Sequence, residues 1–437
     1  MARTREVYYF DYVKDFGLSC LAGTLCSRAT LRTDAPAVLA LAGAQAKDEK
    51  DGDRDGDGDD QLGRDVRLLL DSPLPDEVLR TVWLAAVRRC FDPVEEDTDT
   101  RSWLRRVAEV CPAHRRERGR TEAEVLDEAR PTVPEGELRG TVAVEIESAA
   151  PALERAVAVP EIVPALLRVV REVDADLGLR LFLRAAKAYS VPIGQEAYDR
   201  ILGIGDLLAY PATAVFEELN VQWLPLDPGR RDFALGRFGV TLLAGVFHGT
   251  DWQYQGTVPE NIRSITEGDG MYAPGSYAAV LLEDVRRLVD SALSDEAVTA
   301  LWRTTSGRVY VHDGAFDADG RSWLEQVARA CLVRLAEVDP CYVPRVTPAR
   351  SDLAQAVLRE VREAARTGSA EVRGVARTLE DVVTTVDPDL GFRLLLDILF
   401  TYRVPVTEAQ GVRYRALAER FGYGADHLDE QLPRRPH

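Results

Sequence analysis

The feature that most constrains the fold is that the second half of the chain repeats the first. Three stretches of sequence return in the same order, spaced 219 residues apart in the first block, 220 in the second and 213 in the third. Collinear blocks with such small changes of spacing indicate a tandem duplication, and they predict two similar units of roughly 215 residues. The paired landmarks are Asp65 and Asp284, Trp83 and Trp302, Arg101 and Arg321, Trp103 and Trp323, Cys111 and Cys331, Asp176 and Asp389, and Arg180 and Arg393.

Each predicted unit is long enough to bury a core of its own, so we expect two domains rather than a solenoid of short repeats. The segment 224–231 contains two prolines and a glycine and predicts the linker. We therefore expect a first unit at residues 1–223 and a second at residues 232–437. Each unit is expected to contain two small helical subdomains. The expected subdomains are residues 1–115, 120–223, 232–340 and 350–431.

The pattern within each unit predicts a mainly α fold. Apolar residues recur at spacings of three and four, as on one face of a helix, for example from 276 to 291. Helix starts are indicated by Ser294, by Asp387 before a proline, and by a capping box from Thr407 to Gln410. We expect at most short β-hairpins. The candidate strands are residues 141–146 and 308–311.

The acidic balance limits the classes of partner. The chain carries 72 Asp and Glu against 54 Lys and Arg, a net charge of −18. This charge argues against a nucleic-acid partner, which needs a basic surface. It suits a basic protein partner, and it also suits simple solubility. The sequence has no apolar run of about 20 residues and no apolar leader near its start, so we expect no membrane partner and a cytoplasmic location.

Metal and cofactor sites are not indicated. The six cysteines form no C-x-x-C pair, and the repeat-equivalent Cys111 and Cys331 lie on apolar helix faces, so we expect reduced thiols in the core. The Asp/Gly-rich insertion 47–60 begins like a calcium loop at Asp51, but position twelve of that loop is Leu62, where calcium loops carry a glutamate. We expect a solvated insertion there.

The most distinctive local group lies at the end of an apolar segment in the second unit. The candidate partner-binding residues are Phe247, His248, Asp251 and Trp252. Asp251 can hold the imidazole of His248 by a hydrogen bond while Trp252 covers it. The alternative is a buried junction that fixes the helix end. The first unit has Cys26 in place of His248, so a duplicated active site is not expected, and no hydrolase, P-loop or zinc-protease motif predicts catalytic residues.

The order of landmarks in residues 240–335 resembles the small α-helical immunity proteins of contact-dependent growth inhibition systems, and a weaker version covers residues 18–115. The resemblance implies a non-enzymatic protein that binds and blocks a cognate toxin domain. Many such toxins are nucleases with basic substrate sites, which an acidic protein can occupy. Family members are usually single compact domains, whereas this chain is doubled. The residues that carry the resemblance are Phe247, His248, Asp251, Trp252, 283–288, Trp302, Asp317 and 320–324.

Two other functions remain open on the sequence. The chain can be a helical scaffold or regulator whose partner is not toxic, because two similar units present two similar surfaces. It can also be an enzyme of an unrecognised type, in which case the pocket is expected near His248 and Asp251. The three hypotheses differ in whether the partner is toxic when expressed alone and in whether any substrate is turned over.

Overall fold

The computed structural model of the chain describes residues 15–27, 34–51, 61–111, 133–233, 237–248, 254, 256–307, 319–424 and 428. The described residues are mainly helical, which confirms the predicted fold class. They fall into two compact units, Met1–Leu224 and Pro225–His437, and the division lies within the segment predicted as the linker.

The first unit consists of helices that surround one central helix. In chain order its elements are α1 Gly17–Ser27, α2 Ala35–Asp51, α3 Gln61–Asp71, α4 Asp76–Ala86, a 3-10 turn Pro93–Glu96, α5 Thr100–Val110, α6 Glu135–Ala156, α7 Ile162–Glu172, α8 Ala175–Ala188, β1 Ile193–Gly194, α9 Gln195–Leu207, α10 Ala212–Phe216 and β2 Val221–Gln222. All residues of α8 are buried, because α1, α4, α6 and α7 pack around it.

The second unit has a central helix in the corresponding place. Its elements are α11 Val240–Val246, α12 Val258–Glu267, α13 Ser276–Val289, α14 Asp295–Thr305, α15 Gly320–Val338, a 3-10 turn Ser351–Leu353, α16 Ala354–Thr367, α17 Ala370–Asp381, a π-turn Val382–Val386, α18 Pro388–Thr401 and α19 Glu408–Phe421. Helix α18 is buried from Pro388 to Leu399, and α11, α14, α16 and α17 contact it.

The central helices explain why the expected subdomains do not divide the core. In the first unit, α8 packs both against α1 and α4, from the predicted first subdomain, and against α6 and α7, from the second. One continuous core of buried side chains therefore runs through each unit. A helix that is buried on all sides needs neighbours from both halves of its unit.

Most local start and stop signals are confirmed. Ser294 and Asp387 cap their helices, and Thr407 forms the predicted capping box with Gln410. Helix α13 starts at Ser276, and Gly275 before it is the N-cap. The repeat-equivalent cysteines are buried, and burial raises the pKa of the Cys331 thiol to about 12.

The strand predictions were wrong where the structure describes them. Residues 141–146 belong to α6, where Val142 and Ile146 lie four residues apart and are buried in the core. Their β-branched side chains favour strands only weakly, and burial on a helix face outweighs that preference. The described strands β1 and β2 pair in parallel, since α9 and α10 separate them, so they form no hairpin. Residues 308–311 lie outside the described residues, as do residues 52–60 of the Asp/Gly insertion; its start, up to Asp51, continues α2.

Candidate functional site

A buried ionic cluster holds the central helix of the first unit. The guanidinium of Arg180 on α8 forms a two-point ion pair with Asp65 on α3, and its Nη2 lies 2.7 Å from Asp65 Oδ1. Arg180 also pairs with Asp176, one turn earlier, which accepts a hydrogen bond from the hydroxyl of Tyr210. Asp65 further accepts from the backbone N–H of Leu18 at 2.9 Å, which fixes the start of α1.

The second unit contains the same cluster at the repeat-equivalent positions. Arg393 on α18 donates to both oxygens of Asp284 at 2.7 Å, and its Nη2 lies 3.0 Å from Asp389. Asp389 accepts from the hydroxyl of Tyr423, and Asp284 accepts from the N–H of Val240 at the start of α11. The sequence offsets of 219 and 213 residues therefore lead to the same side chains in the same contacts, as a tandem duplication predicts.

The charges in these clusters are stabilised by each other. Burial alone raises the pKa of Asp389, but Arg393 and Arg231 outweigh burial, and the pKa ends below its usual range. Burial lowers the pKa of Arg393, but Asp284 and Asp389 raise it by more. The pKa therefore ends above its usual range, and the guanidinium stays charged. A buried ion pair that is fully hydrogen-bonded holds its elements in one arrangement, and removal of one partner leaves a buried charge uncompensated. We therefore assign these clusters to the fold.

The repeated motif Arg-Ser-Trp-Leu is also structural. Arg321 donates to the carbonyls of Val289 and Leu293 at the end of α13, the latter at 2.6 Å. In the first unit Arg101 donates in the same way to Leu70 and Leu74. A helix end leaves carbonyls without intrahelical partners, and an arginine supplies the missing donors.

The tryptophans of the repeats lie in one aromatic cluster in each unit. In the second unit the ring centroid of Trp323 lies 5.6 Å from the centroids of both Phe247 and Trp302. The centroids of Phe247 and Trp302 are 6.3 Å apart. Phe247 is fully buried. Its ring thus packs in the core, and the side chain can affect a partner only by positioning its neighbours.

His248 follows Phe247 and is exposed at the end of α11. Its ring lies against Gly307, where an added Cβ would stand 2.6 Å from His248 Cδ2 and 3.2 Å from Thr401 Cγ2. Partial burial, and then the charge of Arg237, lower the pKa of His248, so the imidazole is largely neutral near pH 7. Asp251 and Trp252 lie outside the described residues, so the predicted His248–Asp251 hydrogen bond stays a prediction.

The structure adds Arg237, Asp397 and Phe400 to this site. Arg237, which precedes α11, places its Nη2 2.8 Å from Oδ1 of the buried Asp397 on α18. Its guanidinium lies over the Phe400 ring, 4.7 Å from the centroid, and 40% of Phe400 is exposed. Burial, offset in part by Arg237, raises the pKa of Asp397 to about 7. We call the surface formed by Arg237, His248, Gly307, Phe400 and Thr401 the His248 patch.

Sequence reasoning missed Arg237 and Asp397 because they lie 160 positions apart and belong to no motif. One signal was available. Asp389, Arg393 and Asp397 stand at intervals of four on a helix that is otherwise apolar, which places three charges on one face. Charges on a buried helix need partners, so this face predicts an ionic contact.

The described residues offer no group of three or more His, Cys, Asp or Glu side chains able to hold a metal ion. None of the helices in the described part of the chain is long and apolar enough to span a bilayer. Comparison with known proteins finds no matching family model, no matching curated protein and no matching solved structure. A proposal of function therefore rests on the geometry and charge of this chain and on the resemblance described above.

Proposed function

We propose that this chain is an immunity protein that binds a cognate bacterial toxin domain and neutralises it without turnover, with a nuclease domain as the favoured class of toxin. The observation that supports the proposal is that four of the landmarks on which the family resemblance rests lie together in the second unit. Phe247, Trp302 and Trp323 pack together, and His248 is exposed at the edge of their cluster.

The charge of the chain supports the same proposal. A net charge of −18 favours encounter with a basic surface, such as the substrate site of a nuclease, and the attraction weakens as salt screens it. Binding by such a surface needs no catalytic group. The proposal therefore predicts fast association at low salt, a slower rate at higher salt, and no product.

We propose that the second unit makes the contact, through His248, Asp251 and Trp252, while the buried Phe247 fixes the position of His248. The first unit has Cys26 in place of His248. It also has Arg88 in place of Gly307, at the same left-handed backbone position. A side chain at that position occupies the space that the imidazole takes in the second unit.

The test is affinity purification of the tagged full-length protein at low and moderate salt, followed by mass spectrometry and by expression of the captured partner alone. We expect one stoichiometric partner that stops growth alone and is harmless together with this chain. A partner that is harmless alone would overturn the proposal in favour of a helical scaffold or regulator. Turnover of a substrate by the purified chain would overturn it in favour of an enzyme.

A pair of variants locates the contact. The double variant His248→Ala/Asp251→Ala should weaken partner binding at least about tenfold, whereas Cys26→Ala at the equivalent place should leave it unchanged. Equal effects would contradict the assignment to the second unit. Circular dichroism of the double variant must match that of the parent chain, since loss of helix would assign these residues to fixing the end of α11.

A further inference from the structure

We propose that Arg237, His248 and Phe400 form a recognition site for a carboxylate group on the second unit. A partner's aspartate, glutamate or chain terminus is the natural source, and that part rests on the proposed function. Binding of a small free carboxylate does not rest on it. The site can thus be tested separately from the identity of the partner.

Arg237 uses only one of its three guanidinium nitrogens, Nη2, in the ion pair with Asp397. Nη2 lies 2.8 Å from Asp397 Oδ1, while the described residues accept no hydrogen bond from Nε or Nη1. The Arg237 side chain is 22% exposed. A guanidinium with free N–H groups matches the two oxygens of a carboxylate.

The guanidinium is held in place before any ligand arrives. Asp397 anchors one edge, and Phe400 supports one face at 4.7 Å. The side chain also crosses α11 at Gly245, where an added Cβ would stand 2.4 Å from Nη1. Orientation by three neighbours lowers the entropy lost on binding, which strengthens recognition by a single cation.

A carboxylate is the ligand that the surroundings favour. The imidazole of His248 packs at Gly307 next to Thr401, the neighbour of Phe400, and can donate a further hydrogen bond, while the Phe400 ring covers one face of the guanidinium. A single oriented cation on a chain of net charge −18 adds little attraction, but it distinguishes a partner that offers a carboxylate at that point from one that does not.

The first unit provides a contrast. Its residue at the position of Asp397 is Arg184, whose side chain is only 6% exposed and whose Nη1 lies 3.0 Å from Asp15. That guanidinium is enclosed, so we expect no carboxylate binding there. Variants at Arg184 and Gly23 are therefore matched controls for variants at Arg237 and Gly245.

The experiment follows the imidazole C–H resonance of His248, assigned with His248→Asn, during titration of the full-length protein with acetate, with a blocked glutamate peptide and with inorganic phosphate. We expect a saturable shift with both carboxylates and a dissociation constant on the order of millimolar. Arg237→Gln should weaken binding at least about tenfold. No saturable shift with acetate or the peptide would overturn the proposal, as would tighter binding of phosphate than of acetate.

Gly245→Ala is the second variant if Arg237→Gln unfolds the second unit, because it shifts the guanidinium but keeps the positive charge of Arg237 near Asp397. Alanine suits a helix better than glycine, so the fold should persist while the guanidinium is pushed aside. We expect the acetate shift to be lost in Gly245→Ala and retained in Gly23→Ala. Retention in both would show that the guanidinium is not the binding group and would overturn the proposal.

Discussion

The central helices of the two units carry the same charged residues in their first half and residues of opposite charge at one position in their second half. Both begin with the same Asp and Arg, which hold the same ionic cluster. One turn after that Arg, α8 carries Arg184, which pairs with Asp15, whereas α18 carries Asp397, which pairs with Arg237. The two partners stand at equivalent positions, so the ion pair is kept and its polarity is reversed.

The reversal separates what the fold needs from what a unit can vary. A charge that is buried at either position must be compensated by its neighbour, and either order of the two charges satisfies that need. The order decides which group lies nearer the surface. In the first unit the arginine is enclosed, with Lys187 beside it, and in the second unit the arginine is outside, over Phe400.

The largest expected effect concerns the half that the units share. Arg180→Met and Arg393→Met should each destabilise its own unit by about 3–5 kcal/mol, because two buried carboxylates lose their main partner. Hydrogen exchange with mass spectrometry can report each unit separately. Arg362→Met, at an exposed ion pair on α16, is the control and should change stability by less than about 1 kcal/mol. Comparable losses at the control would contradict the special role of the clusters.

The next effect tests the reversed half directly. Arg237→Asp places two acids together and should destabilise the second unit strongly, whereas the exchange Arg237→Asp/Asp397→Arg should recover about 1–3 kcal/mol of that loss. Denaturant unfolding of the four members of this double-mutant cycle measures the coupling energy. If the two substitutions are additive, with no recovery of stability, then the two charges cannot be exchanged between positions 237 and 397.

A smaller effect depends on pH. The pKa of Asp397, about 7, lies above its value of 3.8 in an unfolded chain, so the folded unit binds the proton more tightly. This contribution to stability is complete below about pH 4 and is lost as the pH rises through about 7. As the pH rises from 5 to 8, the parent chain should therefore lose about 2 kcal/mol of stability relative to Asp397→Asn, which carries no titrating group at this position. Denaturant unfolding at both pH values checks this, and a difference that does not change with pH would refute it.

The smallest effect should be equal in the two units. Asp99 and Asp319 are equivalent helix caps, and each accepts a hydrogen bond from the backbone N–H of the serine three residues later. Replacement of either by alanine should cost about 1 kcal/mol in its own unit. Thermal unfolding, with hydrogen exchange to assign each transition, gives the two values. A clear inequality would mean that the units differ in more than the reversed pair.

Sequence reasoning predicted what local chemistry decides. The mainly α fold, the caps at Ser294 and Asp387 and the buried cysteines followed from spacing and from residue type. It did not predict the partner of Asp397, because only the packing of α11 on α18 brings Arg237 to it. It misassigned residues 141–146, since the local β preference is weaker than the burial gained on α6. The predicted contact of His248 with Asp251 stays a prediction.

The position of the central helix along the chain has a consequence for synthesis. Arg180 and Asp65 are 115 residues apart, and Arg393 and Asp284 are 109 apart. While the ribosome extends the first unit, α1 to α7 emerge before α8, the helix on which they pack. The carboxylate of Asp65 therefore has no ion-pair partner from α8 until Arg180 has been synthesised. Each unit should therefore close late and in one step when its central helix leaves the exit tunnel, with an apolar groove open to chaperones until then.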